Sequence, residues 1–356
     1  MKKFAFYLPQ FHEIPENNEW WGEGFTEWVN VKKAKPLFTG HAQPKVPMNN
    51  NYYSLDSKET LAWQADIANK YCVDGMIFYH YYFEGKKLLE KPCEMLLEQK
   101  EIPMNFFFCW ANHSWYRSWD GTKELLIEQT YGDINDWEKH FQYLLPFFKD
   151  KRYEKRNNKP LFMIYISDFL EKKEMIKYFD KRCKENGFNG LCLIDVVMHF
   201  EDKTEKVLDD TFIFYREPNA SYYEYKIDKK NLPFRIKNKI GKIFHNKFKF
   251  RYVEKMNAND LLLKGIQKNV QGLRGLFFEW DNTPRHSYRG YIITAPSKET
   301  FMKYMDNIKD IEYLFINAWN EWGEGMMLEP TQENGYKYLE WIKEWSEKNE
   351  NRINRV

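Results

Sequence analysis

Eight short apolar runs, closed off by chain breakers and interleaved with stretches of helical periodicity, limit most strongly how this 356-residue chain can fold. They read KFAFYLP (Lys3–Pro9), GMIFYHYYF (Gly75–Phe83), PMNFFFCWAN (Pro103–Asn112), PLFMIYI (Pro160–Ile166), GLCLIDVV (Gly190–Val197), DTFIFYRE (Asp210–Glu217), GLFFEWDN (Gly275–Asn282) and YLFINAWNEW (Tyr313–Trp322). The runs are continuous rather than alternating, as strands covered on both faces should be. Amphipathic stretches fall near Ser57–Tyr71, Lys86–Lys100, Ile134–Lys149, Glu171–Glu185, Lys298–Asp310 and Gly335–Lys348, and the patterns after the fifth and sixth runs are less regular. Eight strand–helix alternations predict an α/β fold, a single (β/α)8 barrel domain over residues 1–356 with long loops on its C-terminal face. A doubly wound sheet is the main competitor. However, Gly22/Gly24 and Gly323/Gly325 each open a GxG without the third glycine of a dinucleotide fingerprint.

A barrel carries its functional residues at the C-terminal ends of the strands. Gln10 and His12 follow the first run; Tyr79, His80, Tyr81 and Tyr82 end the second; Trp110, Asn112 and His113 end the third. Asp195, Arg216 and Glu217 sit on the fifth and sixth, and Glu279, Trp280, Asp281 and Asn282 on the seventh. The eighth ends in Trp319, Asn320, Glu321, Trp322 and Glu324. The loop after the first run, PQFHEIPENNEWWGEGFTEW, should fold over this rim, with Trp20, Trp21, Phe25, Glu27 and Trp28 as sugar contacts and Glu27 as a third carboxylate. Aromatic residues make up 18% of the chain, more rings than a core needs, so some are expected on a binding surface.

Glu321 and Glu324 are the candidate catalytic pair. If the backbone turns helically there, carboxylates three apart share a face about 5–6 Å apart. That is close to the roughly 5–5.5 Å of retaining glycosidases. Two neighbouring carboxylates repel, so one holds its proton near neutral pH while the other stays charged. Planar rings stack on sugar C–H faces, and Gln10, His12, His80, Asn112, His113, Asp281 and Asn320 supply polar contacts, with Trp21, Trp28, Tyr82, Trp110, Trp280, Trp319 and Trp322 supplying rings. No His/Cys spacing suits a metal, no Asp-x-Asp suits a metal-bound diphosphate, and no G-x-S-x-G marks a serine nucleophile, so neither metal nor cofactor is expected.

The formal charge of +2 conceals a division. Lys226–Lys255, within a basic insert over residues 218–256 after the sixth strand, holds eleven basic residues against Asp228 and Glu254. Its lysines alternate with Phe and Ile, which suits anionic lipid headgroups or a lipid-pyrophosphate-linked glycan. No nucleic-acid fold signature accompanies it, so nucleic acid is not an expected partner. Five cysteines without a CxxC read as buried thiols in a reducing compartment. The first apolar run is too short for a signal-peptide core and no window approaches a spanning helix. The expected location is cytoplasmic or membrane-peripheral.

Four segments together resemble the WbsX-type family: Phe6–Pro47, Phe78–Phe83, Phe108–Asn112 and NAWNEWGEGMMLEP (Asn317–Pro330). Its members are labelled glycosyltransferases, occur among surface-polysaccharide biosynthesis proteins, and have a domain like the family 99 glycoside hydrolases. That resemblance implies a (β/α)8 barrel and metal-free retaining catalysis on an oligo- or polysaccharide, lipid-linked or free. It also implies that Glu321 deprotonates the sugar's own 2-hydroxyl to form an epoxide-like intermediate, while Glu324 protonates the leaving oxygen and later activates water. The PQFH and FTEW elements belong to the WbsX type and not to the hydrolases. Three readings remain open: a glycosidic-bond hydrolase or transglycosylase, a sugar-nucleotide-dependent transferase, and a non-catalytic glycan-binding factor.

Overall fold

The computed structural model describes residues 1–117, 124–248, 251–268 and 270–353. Lys249 and Phe250 of the basic insert lie outside the described residues. Eight parallel strands close into a barrel: β1 (Lys2–Tyr7), β2 (Gly75–Phe83), β3 (Phe106–Trp110), β4 (Lys159–Ile164), β5 (Cys192–Val197), β6 (Thr211–Tyr215), β7 (Leu273–Phe277) and β8 (Tyr313–Asn317). Each strand pairs with its chain neighbour, and β1 closes the ring on β8 with Lys2 opposite Tyr313 and Ala5 opposite Ile316. The apolar runs are continuous because these strands are covered twice, by helices outside and by one another's rings inside.

Aromatic rings fill the barrel. Phe6 of β1 stacks on Tyr79 of β2 and on Phe214 of β6, with centroids 5.4 and 5.9 Å apart. Phe315 of β8 meets Phe214 and Phe107 at 5.0 and 5.6 Å, and Phe107 meets Phe4 at 5.2 Å. Much of the aromatic fraction is thus consumed by a core that aliphatic side chains usually fill.

Outside, Ser57 caps the helix Lys58–Lys70, Ser297 caps Lys298–Asn307, and Asp133 with Asp136 forms a reciprocal box at the start of Ile134–Lys149. Two local expectations change. Only Lys91–Glu98 of the Lys86–Lys100 stretch is helical, because Lys86–Leu88 folds back to pair antiparallel with Tyr81–Phe83. No helix joins β5 to β6: residues 198–210 are turns and irregular chain, in keeping with the missing periodicity there.

After β6 the chain runs through the helices Asn219–Ile227 and Leu232–Phe248 to the strand Glu254–Asn257. That strand forms a small sheet with Tyr291–Thr294 and Trp280–Asp281 at the C-terminal rim. None of the five cysteines is in a disulfide. Among the described residues no helix is long and apolar enough to cross a membrane.

Candidate active site

β8 ends at Asn317, and the chain then makes a short antiparallel pair (Asn320–Glu321 with Met326–Met327) around a tight 3-10 turn, Trp322–Glu324. The sequence sets this shape through two glycines. Gly325 closes the turn at φ 57°, in the left-handed region that favours glycine. Gly323 lies so close to the Glu27 carboxylate that any side chain there would collide with it. The turn is 3-10 rather than α-helical, and it presents both glutamates to one cavity of about 410 Å³ at the C-terminal end of the barrel.

Arg285 organises the cavity floor. It lies in the short helix Thr283–His286 after β7, and its guanidinium touches three carboxylates. Nη1 donates to Glu324 at 2.6 Å, Nε and Nη2 reach Glu27 at 3.0 and 2.9 Å, and Nη2 lies 3.6 Å from Glu321 Oε2. The place a cation would take among these acids is therefore held by a side chain. The Arg285 segment is pinned in turn by Asp281. Its Oδ2 accepts from His41 Nε2 and Gln43 Nε2, both at 2.7 Å, and its Oδ1 accepts from the Thr283 backbone N–H and hydroxyl.

The two glutamates occupy different environments. The Glu324 side chain is 23% exposed and faces the cavity, whereas that of Glu321 is 10% exposed. Glu321 Oε2 is buried with no hydrogen-bond partner. Burial, followed by the charge of Glu324, lifts the Glu321 carboxyl well above the usual range, and Arg285 only partly opposes this. Charge counting agrees: Glu27, Glu321 and Glu324 face Arg285 and Arg216, which leaves room for one proton.

Above the floor the wall is aromatic: Trp20, Trp21, Phe25, Tyr79, Tyr81, Trp115 and Tyr165 line it. Arg216 lies 5.3 Å from the centre of the Tyr165 ring, and Gln10, Asn30, His113 and His286 add polar edges.

Of the residues singled out in the sequence, Gln10, Trp20, Trp21, Phe25, Glu27, Tyr79, Tyr81, His113, Arg216, Glu321 and Glu324 meet in this cavity. The others stand behind its wall. Trp28 packs on Phe11 and Trp322, at 4.7 and 5.2 Å, and donates its Nε1 proton to the Tyr53 carbonyl; it fastens the first loop to the last. Trp322 donates to Glu329 at 2.6 Å, Asn320 holds the Leu8 backbone through both amide atoms, and Trp319 is fully buried. His80 contacts His140 at 2.8 Å between their Nε2 atoms, and Tyr82 stacks on His140 with centroids 3.9 Å apart. Trp110 donates to the Tyr82 carbonyl, and Asn112 ties to Ile166. His12 is 2% exposed. Trp280 packs edge-on against Tyr291, and Asp281 serves the Arg285 segment. These side chains sit close to strand ends as expected, but they point into the packing behind the cavity rather than into it.

Arg285, Tyr165, Trp115, His286 and Asn30 are among the cavity residues that sequence reasoning missed. Arg285 follows the Glu279–Asn282 cluster by three residues and had a signal: an arginine close behind the acidic end of the seventh strand.

Residues 3–342 match the family model described as Glycosyltransferase WbsX. The chain belongs to this family. It is 32% identical over 348 residues to WxcX of Xanthomonas campestris pv. campestris, covering 94% of this chain and 48% of the relative, so it spans about half the length of the curated relatives it matches. Among solved structures it resembles a family 99 endo-α-mannosidase from Bacteroides thetaiotaomicron, with a TM-score of 0.55 and 15% identity over 99% of this chain and 98% of the other. It also resembles a glycoside hydrolase-like protein, with a TM-score of 0.59 and 11% identity over 97% and 93% of the two chains. Identities this low speak for the shared barrel alone. The family is described as one of glycosyltransferases, and the chain shares the barrel of the family 99 endo-α-mannosidase.

Proposed function

We propose that this chain cleaves or transfers glycosidic bonds of a surface polysaccharide, with retention at the anomeric carbon. Glu321 and Glu324 carry the chemistry. The observation behind this reading is that the two carboxylates meet on one guanidinium at the floor of an aromatic-walled cavity. The pair shares one proton: the productive form carries it on Glu324 and leaves Glu321 ionised, and a carboxylate whose proton affinity is raised by burial is the stronger base for a sugar 2-hydroxyl. Glu324, more open to the cavity, is placed to give a proton to the leaving oxygen and to take one from the incoming acceptor. Arg285 holds both at the working position, and Trp20, Trp21 and Trp115 offer faces for sugar rings. The known action of the structural neighbour on α-mannosides makes mannose-type glycans the first substrates to try.

The test is turnover of mannan-type and bacterial surface oligosaccharides by wild type, Glu321→Gln and Glu324→Gln, with NMR of the anomeric proton in the first product. Both variants should lose turnover while retaining glycan binding, and the first product should keep the substrate's anomeric configuration. Full activity in both variants would refute the assignment.

Two observations favour other readings. The family description points to a sugar-nucleotide transferase, which would release nucleotide and extend an acceptor. The ion pairs of Arg285 with both glutamates are also what a binding-only site would show; in that case Gln at either position would alter affinity and nothing else.

A further inference from the structure

The helix Leu232–Phe248 presents two opposite faces. One is fixed to the protein: Asn238 and Gly241 are buried, the Tyr252 ring lies where a Gly241 side chain would be, and the Tyr252 hydroxyl donates to Asn238. Lys242 pairs with Glu254 at 2.7 Å, Phe234 packs on Tyr225, and His245 packs on Tyr288 with centroids 5.3 Å apart. The other face carries Leu232, Ile236, Ile240, Ile243, Phe244 and Phe248, each between 41% and 69% exposed. Their spacing of three and four residues makes one continuous stripe. Thirteen large apolar side chains are exposed among the described residues, and six lie on this single helix. Scattered exposed apolar residues need no explanation, but a contiguous stripe marks a contact surface.

The charge on the helix indicates what it contacts. Arg235, Lys237, Lys239, Lys242 and Lys247 accompany the stripe, and the helix contains no acidic residue. A second copy of the same helix would satisfy the apolar side chains while setting like charges against each other. An anionic bilayer satisfies both, with apolar side chains at the acyl boundary and lysines among the headgroups.

We propose that Leu232–Phe248 is an interfacial helix that seats the protein on an anionic membrane. The helix abuts the rim of the cavity, since Tyr288, against which His245 packs, follows Arg285 by three residues. Docking therefore brings the mouth of the cavity to the headgroup layer, where a lipid-anchored glycan would be presented. The inference does not depend on the proposed reaction, because its test requires no substrate.

The experiment is flotation of the full chain with vesicles of phosphatidylcholine alone or with about 30% phosphatidylserine, a composition that supplies the anionic surface potential. Binding is expected on the anionic vesicles only, and should fall as salt is raised. The double variants Ile240→Asp/Phe244→Asp and Lys237→Glu/Lys239→Glu should each lower the partition coefficient at least about tenfold. Their thermal unfolding should match wild type, since all four side chains lie away from the anchored face. No binding to anionic vesicles, or equal binding by both variants, would overturn the proposal. So would sedimentation showing a wild-type dimer that Phe244→Asp makes monomeric, with no vesicle binding.

Discussion

Replacing Arg285 by methionine tests the electrostatic account of the site most directly. The side chain is 26% exposed, makes charge-assisted hydrogen bonds of 3.0 Å to Glu27 and 2.6 Å to Glu324, and adds an ion contact of 2.9 Å to Glu27. Removing one partner from a buried ion pair costs roughly 3–5 kcal/mol, because the remaining charges are left uncompensated. With the cavity open to water, the lower end applies, about 3 kcal/mol at pH 8. At roughly 2 °C per kcal/mol for a chain of this length, that is a fall in Tm of about 6 °C. The sign of the pH effect follows from linkage. Without Arg285 the cluster loses the cation that favours its ionised form, so the folded variant takes up protons that the wild type does not. The variant's deficit should therefore be small near pH 5 and grow as pH rises to 8. Thermal unfolding by circular dichroism at both pH values, for wild type, Arg285→Met and Arg285→Lys, reads this directly. Lysine keeps the charge but not the three-way fork, so it should recover part of the stability and little of the turnover. A deficit equal at pH 5 and pH 8, or none at pH 8, would show that Arg285 does not neutralise these acids.

Two further predictions follow from local geometry. Gly323→Ala places a methyl group against the Glu27 carboxylate and near Arg285 Nε, so it should depress turnover strongly while leaving the fold intact, because a side-chain end can move; unchanged kinetics would contradict the close approach. Glu329 is buried beneath donors from Tyr53, Gln64 and Trp322, and burial raises its pKa to about 7 despite those hydrogen bonds. The folded state then holds a proton that the unfolded state has released, so stability should fall as pH rises from about 4.5 to about 7. Glu329→Gln should flatten that part of a urea-denaturation profile, and an unchanged slope would count against a buried titration there.

The barrel was legible because it depends on local pattern. Continuous runs such as GMIFYHYYF and PMNFFFCWAN permit little except strands covered on both faces, and their order in the chain is their order around the ring. Of the two regions that were less regular in sequence, the one between Val197 and Thr211 is a crossover without a helix, whereas the one after the sixth strand carries the helices Asn219–Ile227, Leu232–Phe248 and Ala258–Gln267. Side-chain direction was less legible. Position at a strand end does not say whether a ring faces the cavity or the wall, and alternation along the chain decides between them: Tyr79 and Tyr81 face the cavity, while His80 and Tyr82 turn outward onto His140.

The sequence by itself determined the fold class and the strand that bears the two glutamates. Only the tertiary structure showed that Arg285 holds Glu321, Glu324 and Glu27 together, although Glu27 lies 258 residues from Arg285 along the chain. It alone separated tryptophans that line the cavity from those that bolt its loops, and basic residues that are paired from those beside a bare apolar stripe. The reason is physical. Periodicity reports which side of an element is buried, whereas the charge balance of a site depends on which distant loops barrel closure brings within hydrogen-bonding reach.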